Sequence, residues 1–315
     1  MEKRRIIQLS IIVPVYNVNK YIIRCIDSIY NQISRHVEII VVNDGSTDNS
    51  LELVQEYAEG KDEIRIINQN NKGLSGARNT GLHFSNGLYV WFVDSDDYIC
   101  SSAVATILNI INCDNSQLDL IAFNTKCVYE NNSSATKIVV RSSTKSGIIN
   151  SNQLYGCYKW PYSGAQFYVY RKRFLNESGI FFKEGIFFED ILFTPQIIVN
   201  AKSIYYLNDA LYCYSIRNCG SIMSTPYNLK RTTHSIYIAN SLLKLYNEST
   251  SKYRWILKDA ACKVIGHYYG NYRDLTGDER KEARKNFLKQ PGYFKALLNF
   301  RNIKYMYSYI QMIIC

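Results

Sequence analysis

Four short apolar runs, separated by stretches of helical periodicity, fill the first hundred residues and limit the possible folds more than any other feature. They are "LSIIVPVYN", "VEIIVVND", "EIRIIN" and "LYVWFVD". Each is a near-continuous block of strand-forming residues, the pattern of a strand buried on both faces. Between the first two, Tyr21, Ile22, Cys25, Ile26 and Ile29 recur at helical spacing. "STDNSLELVQEYAEG" opens with capping residues and closes on Gly60, and "GLSGARNTGLHFSNG" is a third helical stretch. Alternating strands and helices predict an α/β fold, a mainly parallel sheet covered on both faces. Ligands of such sheets bind beyond the carboxyl ends of the strands. Here those ends read "PVYN", "VNDGSTD" and "VDSDD", so polar groups gather on one edge.

Beyond residue 100 the pattern loosens. "SSAVATILNIINC" reads as a helix, "DLIAFNTKCVYE" as a strand, and 131–150 is polar and Ser-rich. Short aromatic strands come next, then a helix starting near Asp190, and residues 228–315 read as mostly helical. The expected organisation is 1–100, 101–225 and a helical C-terminal region 226–315. With 315 residues, 47% of them hydrophobic, the chain can bury a large core. The N-terminal apolar run is too short and too interrupted for a signal peptide, and no window has the apolar length of a membrane span. Nine scattered cysteines without a Cys-x-x-Cys pair read as reduced thiols. A cytoplasmic protein is expected.

The net charge of +10 fits nucleic acid, an anionic membrane surface or a phosphorylated substrate. Between Arg280 and Cys315, basic residues interleave with aromatics such as Tyr293, Phe300 and Tyr305. That mixture fits a helix lying on an anionic membrane, and equally a terminal helix packed on the body with a solvated basic face.

Three carboxylates, Asp94, Asp96 and Asp97, crowd the end of the fourth run. Uncompensated, they would repel one another and resist desolvation. An Asp-x-Asp at a ligand edge suits Mg²⁺ or Mn²⁺, which takes oxygen ligands and leaves positions for phosphate oxygens. The alternative is a solvated turn with a helix cap. Asp44 sits at the second strand end, placed to meet a base or ribose, or to cap a helix. "NKGLSGARNTG" sets Lys72 and Arg78 around a glycine-rich helix start, an arrangement that favours phosphate. It matches neither a Walker loop nor Gly-x-Gly-x-x-Gly, which argues against an ATPase or a dinucleotide enzyme.

"SIIVPVYN", "VVNDGSTDNS", "NKGLSGARNTG" and "VWFVDSDD", in this order, resemble the inverting family-2 glycosyltransferases of the GT-A fold. The resemblance is close over residues 9–99. It implies that Pro14 and Tyr16 pack the nucleotide base and that Asp44 hydrogen-bonds it, typically as uracil. It places Asp94 and Ser95 on the ribose or metal side, Asp96 on the metal, and Lys72 and Arg78 near the nucleotide or phosphates. "EGIFFEDILFTP" resembles the family's Glu-Asp motif, implying Asp190 as general base with Glu189 at the acceptor, beneath Phe187 and Phe188. The bland reading is that both acids cap a helix. "LYCYSIRNCGSIM" resembles a later segment that supplies Arg217 and Ser221 near the diphosphate, and Trp160 and Gly164 align loosely with an acceptor segment.

The implied function is metal-dependent, inverting transfer of a sugar from a nucleotide donor, typically UDP-linked, to an acceptor hydroxyl. A lipid-diphosphate-linked glycan in bacterial surface polysaccharide synthesis (O-antigen or capsule) is the expected acceptor, at the inner membrane face, with no nucleic acid partner. A non-catalytic nucleotide-sugar-binding or scaffold protein is the rival. A nucleotidyltransferase would carry an early glycine-rich loop, which "PVYNVNKY" is not. The four histidines show no metal-ligand spacing, and Asp97 and His234 are left without a role.

Overall fold

The structure is a computed structural model and describes residues 6–113, 117–130, 132–139, 145–156, 164–217, 228–290, 292–298 and 310. The chain forms two compact units. One comprises Met1–Gly185 with Ala201–Asn218, and the other Ile186–Asn200 with Cys219–Cys315.

The first unit begins β1 (Leu9–Val15), α1 (Ile22–Tyr30), β2 (Val37–Asn43), α2 (Ser50–Ala58), β3 (Ile64–Asn68), α3 (Gly73–Phe84) and β4 (Tyr89–Phe92). It continues with β5 (Tyr98–Ile99), α4 (Ala103–Cys113), β6 (Leu120–Tyr129), β7 (Asn132–Val139), β8 (Gly147–Ile149), α5 (Ser151–Gly156), β9 (Tyr168–Arg171) and α6 (Lys172–Ser178). β10 (Ile204–Ile216) closes it. Among the described residues these strands make one ten-stranded sheet with central order β3-β2-β1-β4-β9-β6-β10-β5. β3, β2, β1 and β4 run parallel, and every residue of β1 and β2 is buried, as their near-continuous apolar sequences predict, with the buried Ser10 hydroxyl donating to Glu38 across the pair. Beyond β4 the sheet is mixed: β9 is antiparallel to both β4 and β6, whereas β6 and β10 are parallel. The polar segment around "KIVV" is β7, antiparallel to β6.

Helix α1 buries Ile22, Cys25, Ile26 and Ile29, the i, i+3, i+4, i+7 spacing that keeps one stripe inward. Helix α3 lies unusually close to β1. A Cβ on Gly81 would fall 2.3 Å from Ile12 Cγ2, so only glycine fits at this crossing. Because β1, β2 and β4 are parallel, their carboxyl ends share one edge. Tyr16, Asp44 and Asp94 leave the sheet there, and the Asp44 amide donates to Val15 O at 2.8 Å.

The second unit is helical in its described residues: α7 (Glu189–Asn200), α8 (Leu229–Glu248), α9 (Trp255–Tyr272), α10 (Gly277–Leu288) and α11 (Tyr293–Leu298). Phe287 stacks on Tyr268 with ring centroids 4.8 Å apart and meets Tyr293 edge-on at 5.2 Å. Tyr293, one of the aromatics of the basic C-terminal stretch, is buried in this core together with Leu297. The rest of that stretch, from 299 onward apart from 310, lies outside the described residues. No described helix is long and apolar enough to cross a membrane.

Candidate active site

The acidic turn after β4 is organised by partners from three other elements. Asp94 faces Arg78 of α3, with Nη2 2.6 Å from Oδ1, and Arg78 is buried with its guanidinium 5.2 Å from the Phe182 ring. Asp96 faces Arg217, just past β10, with Nη2 2.5 Å from Oδ2. Tyr21 lies 5.0 Å beneath that guanidinium. Arg24 of α1 donates to Asp96 O at 2.8 Å and to Ser215 Oγ at 2.9 Å, with its guanidinium 4.7 Å from the Tyr98 ring. Two of the three expected carboxylates thus sit on the ligand edge, each against an arginine.

Asp97 points the other way. It is 1% exposed and accepts from Tyr212 Oη and from the Ser215 amide, both at 2.7 Å. Burial, then the charges of Asp96 and Asp94, push its carboxyl well above the usual range. Tyr212 Oη also accepts from the Asp94 amide at 3.2 Å. Asp97 and Tyr212 therefore tie the turn to β10, and this carboxylate holds the shape of the site.

At the end of β2, Asp44 is buried, and its Oδ1 accepts from Gln69 Nε2 at 2.6 Å and from the Lys72 amide at 2.8 Å. It secures the start of α3 and caps no part of α2. Gly45 turns the chain with φ +72°, and Asn17, itself at φ 51°, accepts the Thr47 amide at 2.8 Å. Pro14 and Ser95 are buried, Lys72 is exposed, and Tyr16 is 49% exposed at the edge, a ring left open over about half its area. Gly164 precedes a single 3₁₀ turn, whereas Trp160 and Ser221 lie outside the described residues.

In the second unit, Glu189 and Asp190 open α7. The Ile191 amide donates to Asp190 Oδ1 at 2.9 Å, so the carboxylate meets the positive end of its own helix. Phe188, just before, holds φ +65°. The Phe187 amide donates to His234 Nδ1 at 2.9 Å, and burial, then Lys230, lower the imidazole's proton affinity. Arg231 lies 5.2 Å from the Phe187 ring and 5.8 Å from Phe188, so both rings serve a cation.

Among the described residues no group of three or more His, Cys, Asp or Glu is placed to hold a metal unaided. Asp94 and Asp96 still fit an ion that draws its other ligands from a substrate's phosphates, since such ions need only one or two protein carboxylates. Burial, and then the charge of Asp94, raise the Asp96 carboxyl, a repulsion that a cation relieves. The sequence pointed to Asp44, Arg78, Asp94, Asp96 and Arg217. It missed Tyr21, Arg24, Gln69 and Tyr212, whose types carry no distinguishing pattern, and Tyr212 is brought in from 115 residues away.

A family model described as "Glycosyl transferase family 2" matches residues 10–177. The uncharacterized glycosyltransferase EpsJ of Bacillus subtilis is 31% identical over 268 residues, covering 81% of this chain and 72% of that protein. Among solved structures, S. aureus TarS residues 1–349 in complex with UDP-GlcNAc superposes with TM-score 0.73 at 22% identity, covering 97% of this chain and 90% of that one. The mannosyltransferase PcManGT of Pyrobaculum calidifontis, in complex with GDP-Man and Mn²⁺, superposes with TM-score 0.58 at 16% identity over 98% and 86% of the chains.

Proposed function

The chain belongs to glycosyl transferase family 2, and from that premise we propose that it transfers a sugar from a UDP donor to an acceptor hydroxyl with inversion at the anomeric carbon. The observation that carries this reading is the acidic turn at the carboxyl edge, with Asp94 on Arg78 and Asp96 on Arg217. Two carboxylates and two guanidiniums in one place suit a diphosphate with a divalent ion, Mn²⁺ or Mg²⁺. When bound, such an ion supplies charge neutralisation for the diphosphate as it leaves.

The residues then take these roles. Tyr16, at the edge, offers its ring to the base, beside Pro14. Asp44, already accepting two donors on Oδ1, keeps Oδ2 for a base N–H, which uracil provides at N3. Arg78 fixes Asp94 toward the ribose, Ser95 follows in the same turn, and the exposed Lys72 meets the nucleotide or its phosphates. Arg217, with Ser221, takes phosphate charge. Asp190 removes the proton from the acceptor hydroxyl, and Glu189 helps orient that acceptor. The new bond forms between the acceptor oxygen and the anomeric carbon while the bond to the diphosphate oxygen breaks on the opposite face. The UDP donor is also the nucleotide named in the TarS complex. A glycan acceptor carried on a lipid diphosphate, at a cytoplasmic membrane face, completes the reading.

A screen of nucleotide sugars by thermal shift and donor hydrolysis, with and without Mn²⁺, tests it. Stabilisation by UDP that needs the metal supports the proposal. Stabilisation by GDP in preference to UDP, or by no nucleotide at all, overturns it.

A further inference from the structure

Cys100 and Cys213 meet on the strand pair behind the acidic turn. β5 and β10 are antiparallel, with Cys213 opposite Tyr98 and Tyr212 opposite Ile99. Cys100 comes directly after β5, and its amide donates to Leu211 O at 2.8 Å, continuing the ladder. Two positions from Tyr98, Cys100 therefore shares a face with Cys213. Their sulfurs are 3.4 Å apart, and a disulfide closes that gap to about 2.05 Å. Cys100 is half-buried and Cys213 is buried.

The surroundings divide the two thiols. Lys126 lies directly opposite Cys213 in the β6–β10 register, and its charge favours thiolate at either sulfur. The hydrogen bond shared with Cys213 lowers the Cys100 thiol, with burial opposing. The same bond, then burial, raise Cys213. Cys100 is thus the more accessible and more acidic partner, and Cys213 the one held in reserve. Tyr98 hydrogen-bonds Cys213 and carries Arg24 on its ring, and Arg24 holds Asp96 O.

We propose that Cys100 and Cys213 form a reversible thiol–disulfide site, oxidised by hydrogen peroxide. The Cys100 thiolate attacks one peroxide oxygen, giving a sulfenic acid and hydroxide. The Cys213 sulfur then attacks the Cys100 sulfur, the S–S bond forms, and the sulfenic oxygen leaves as water with the Cys213 proton. Two thiols lose two electrons, and one peroxide becomes two waters once the hydroxide takes up the Cys100 proton.

The test treats the full chain with peroxide, alkylates the remaining thiols and maps the digest by mass spectrometry. The expected result is a cross-linked peptide pair joining Cys100 to Cys213, released by dithiothreitol. In Cys213→Ser the Cys100 sulfenic acid persists and is trapped by dimedone. In Cys100→Ser, the variant at the less buried position, Cys213 stays open to alkylation after unfolding. The proposal is overturned if both thiols remain alkylatable at a peroxide dose that oxidises the exposed Cys113, or if Cys100 pairs with another cysteine.

Discussion

Arg217 sits on Asp96, with Nη2 2.5 Å from Oδ2 and the guanidinium stacked over Tyr21. An arginine thus satisfies the carboxylate assigned to the metal. The same guanidinium has the fork geometry that matches a phosphate. Under the proposed roles, Asp96 and a diphosphate would compete for this one side chain, and Asp96 would be released to hold an ion when Arg217 turns to the phosphates.

This relationship predicts opposite effects of Arg217→Ala on two equilibria. Affinity for Mn²⁺ alone should rise several-fold, because Asp96 loses its competing cation. Affinity for UDP in saturating Mn²⁺ should fall about ten- to a hundredfold, the loss of a charge-assisted contact of about 1.5–3 kcal/mol. Titration calorimetry reads both. If the two affinities move in the same direction, the shared role of Arg217 is wrong.

Asp190→Asn should separate chemistry from donor binding. The amide keeps an oxygen for the Ile191 amide, which Asp190 Oδ1 now accepts at 2.9 Å, so the start of α7 should hold. General-base catalysis contributes roughly 10²–10⁴-fold, and transfer should fall by that order while the metal-dependent thermal shift with UDP stays intact. A variant that keeps normal transfer removes Asp190 as the base. One that loses UDP binding as well points to a disturbed fold instead.

Asp96→Asn should act on the other half of the reaction. It keeps the side-chain volume but removes the charge beside Arg217. Turnover should fall, thermal stabilisation by UDP should no longer depend on Mn²⁺, and the residual turnover should be insensitive to chelators. Unchanged chelator sensitivity in this variant would place the ion elsewhere.

Separation along the chain decides how much of this was legible in the sequence. β1, β2 and β4 are parallel strands buried on both faces, so each is a near-continuous apolar word, and the polar residues after each word marked the ligand edge. β9, four residues long with Tyr168 and Tyr170 in it, carries no such signature, and it is where the sheet first departs from the parallel order of β3, β2, β1 and β4. The same limit governs the acids. Three aspartates within one turn look alike in sequence, but Tyr212 and Ser215 claim Asp97 from more than a hundred residues away and leave Asp94 and Asp96 on the edge. Composition along a strand is local information, whereas the choice among neighbouring carboxylates is made by tertiary partners.

His234 gives a prediction in pH. Its Nδ1 accepts the Phe187 amide at 2.9 Å, which requires the neutral ring, and burial, then Lys230, lower its proton affinity in the fold. The unfolded chain then binds a proton that the folded chain refuses, between the lowered folded value and the ordinary value near 6.5. Stability from this group is therefore complete above the ordinary value and is lost as pH falls through the folded one. His234→Asn retains an acceptor but cannot titrate, so its melting temperature should fall less between neutral and mildly acidic buffer. Equal acid sensitivity of the two proteins would show that His234 is not the group responsible.

The close crossing of α3 over β1 sets the last expectation. Gly81→Ala places a methyl 2.3 Å from Ile12 Cγ2, inside a strand whose every residue is buried. Replacing a helical glycine by alanine would otherwise stabilise by about 1 kcal/mol, whereas overpacking costs about 1–3 kcal/mol. A 2.3 Å approach belongs at the severe end of that range, so the net effect should be a loss of roughly 2 kcal/mol in denaturant unfolding. Ile12→Ala removes the atom that clashes, at a cost of its own of about 2–5 kcal/mol. Adding Gly81→Ala to that background should be neutral or stabilising, because only the helical gain remains. The double-mutant cycle thus yields a coupling of opposite sign to the single effect. Additive losses would mean that Gly81 is required for its backbone and not for the space it leaves to Ile12. Because Arg78 sits on α3 three residues earlier, the single variant should also weaken UDP binding, and Ile12→Ala/Gly81→Ala should recover part of it.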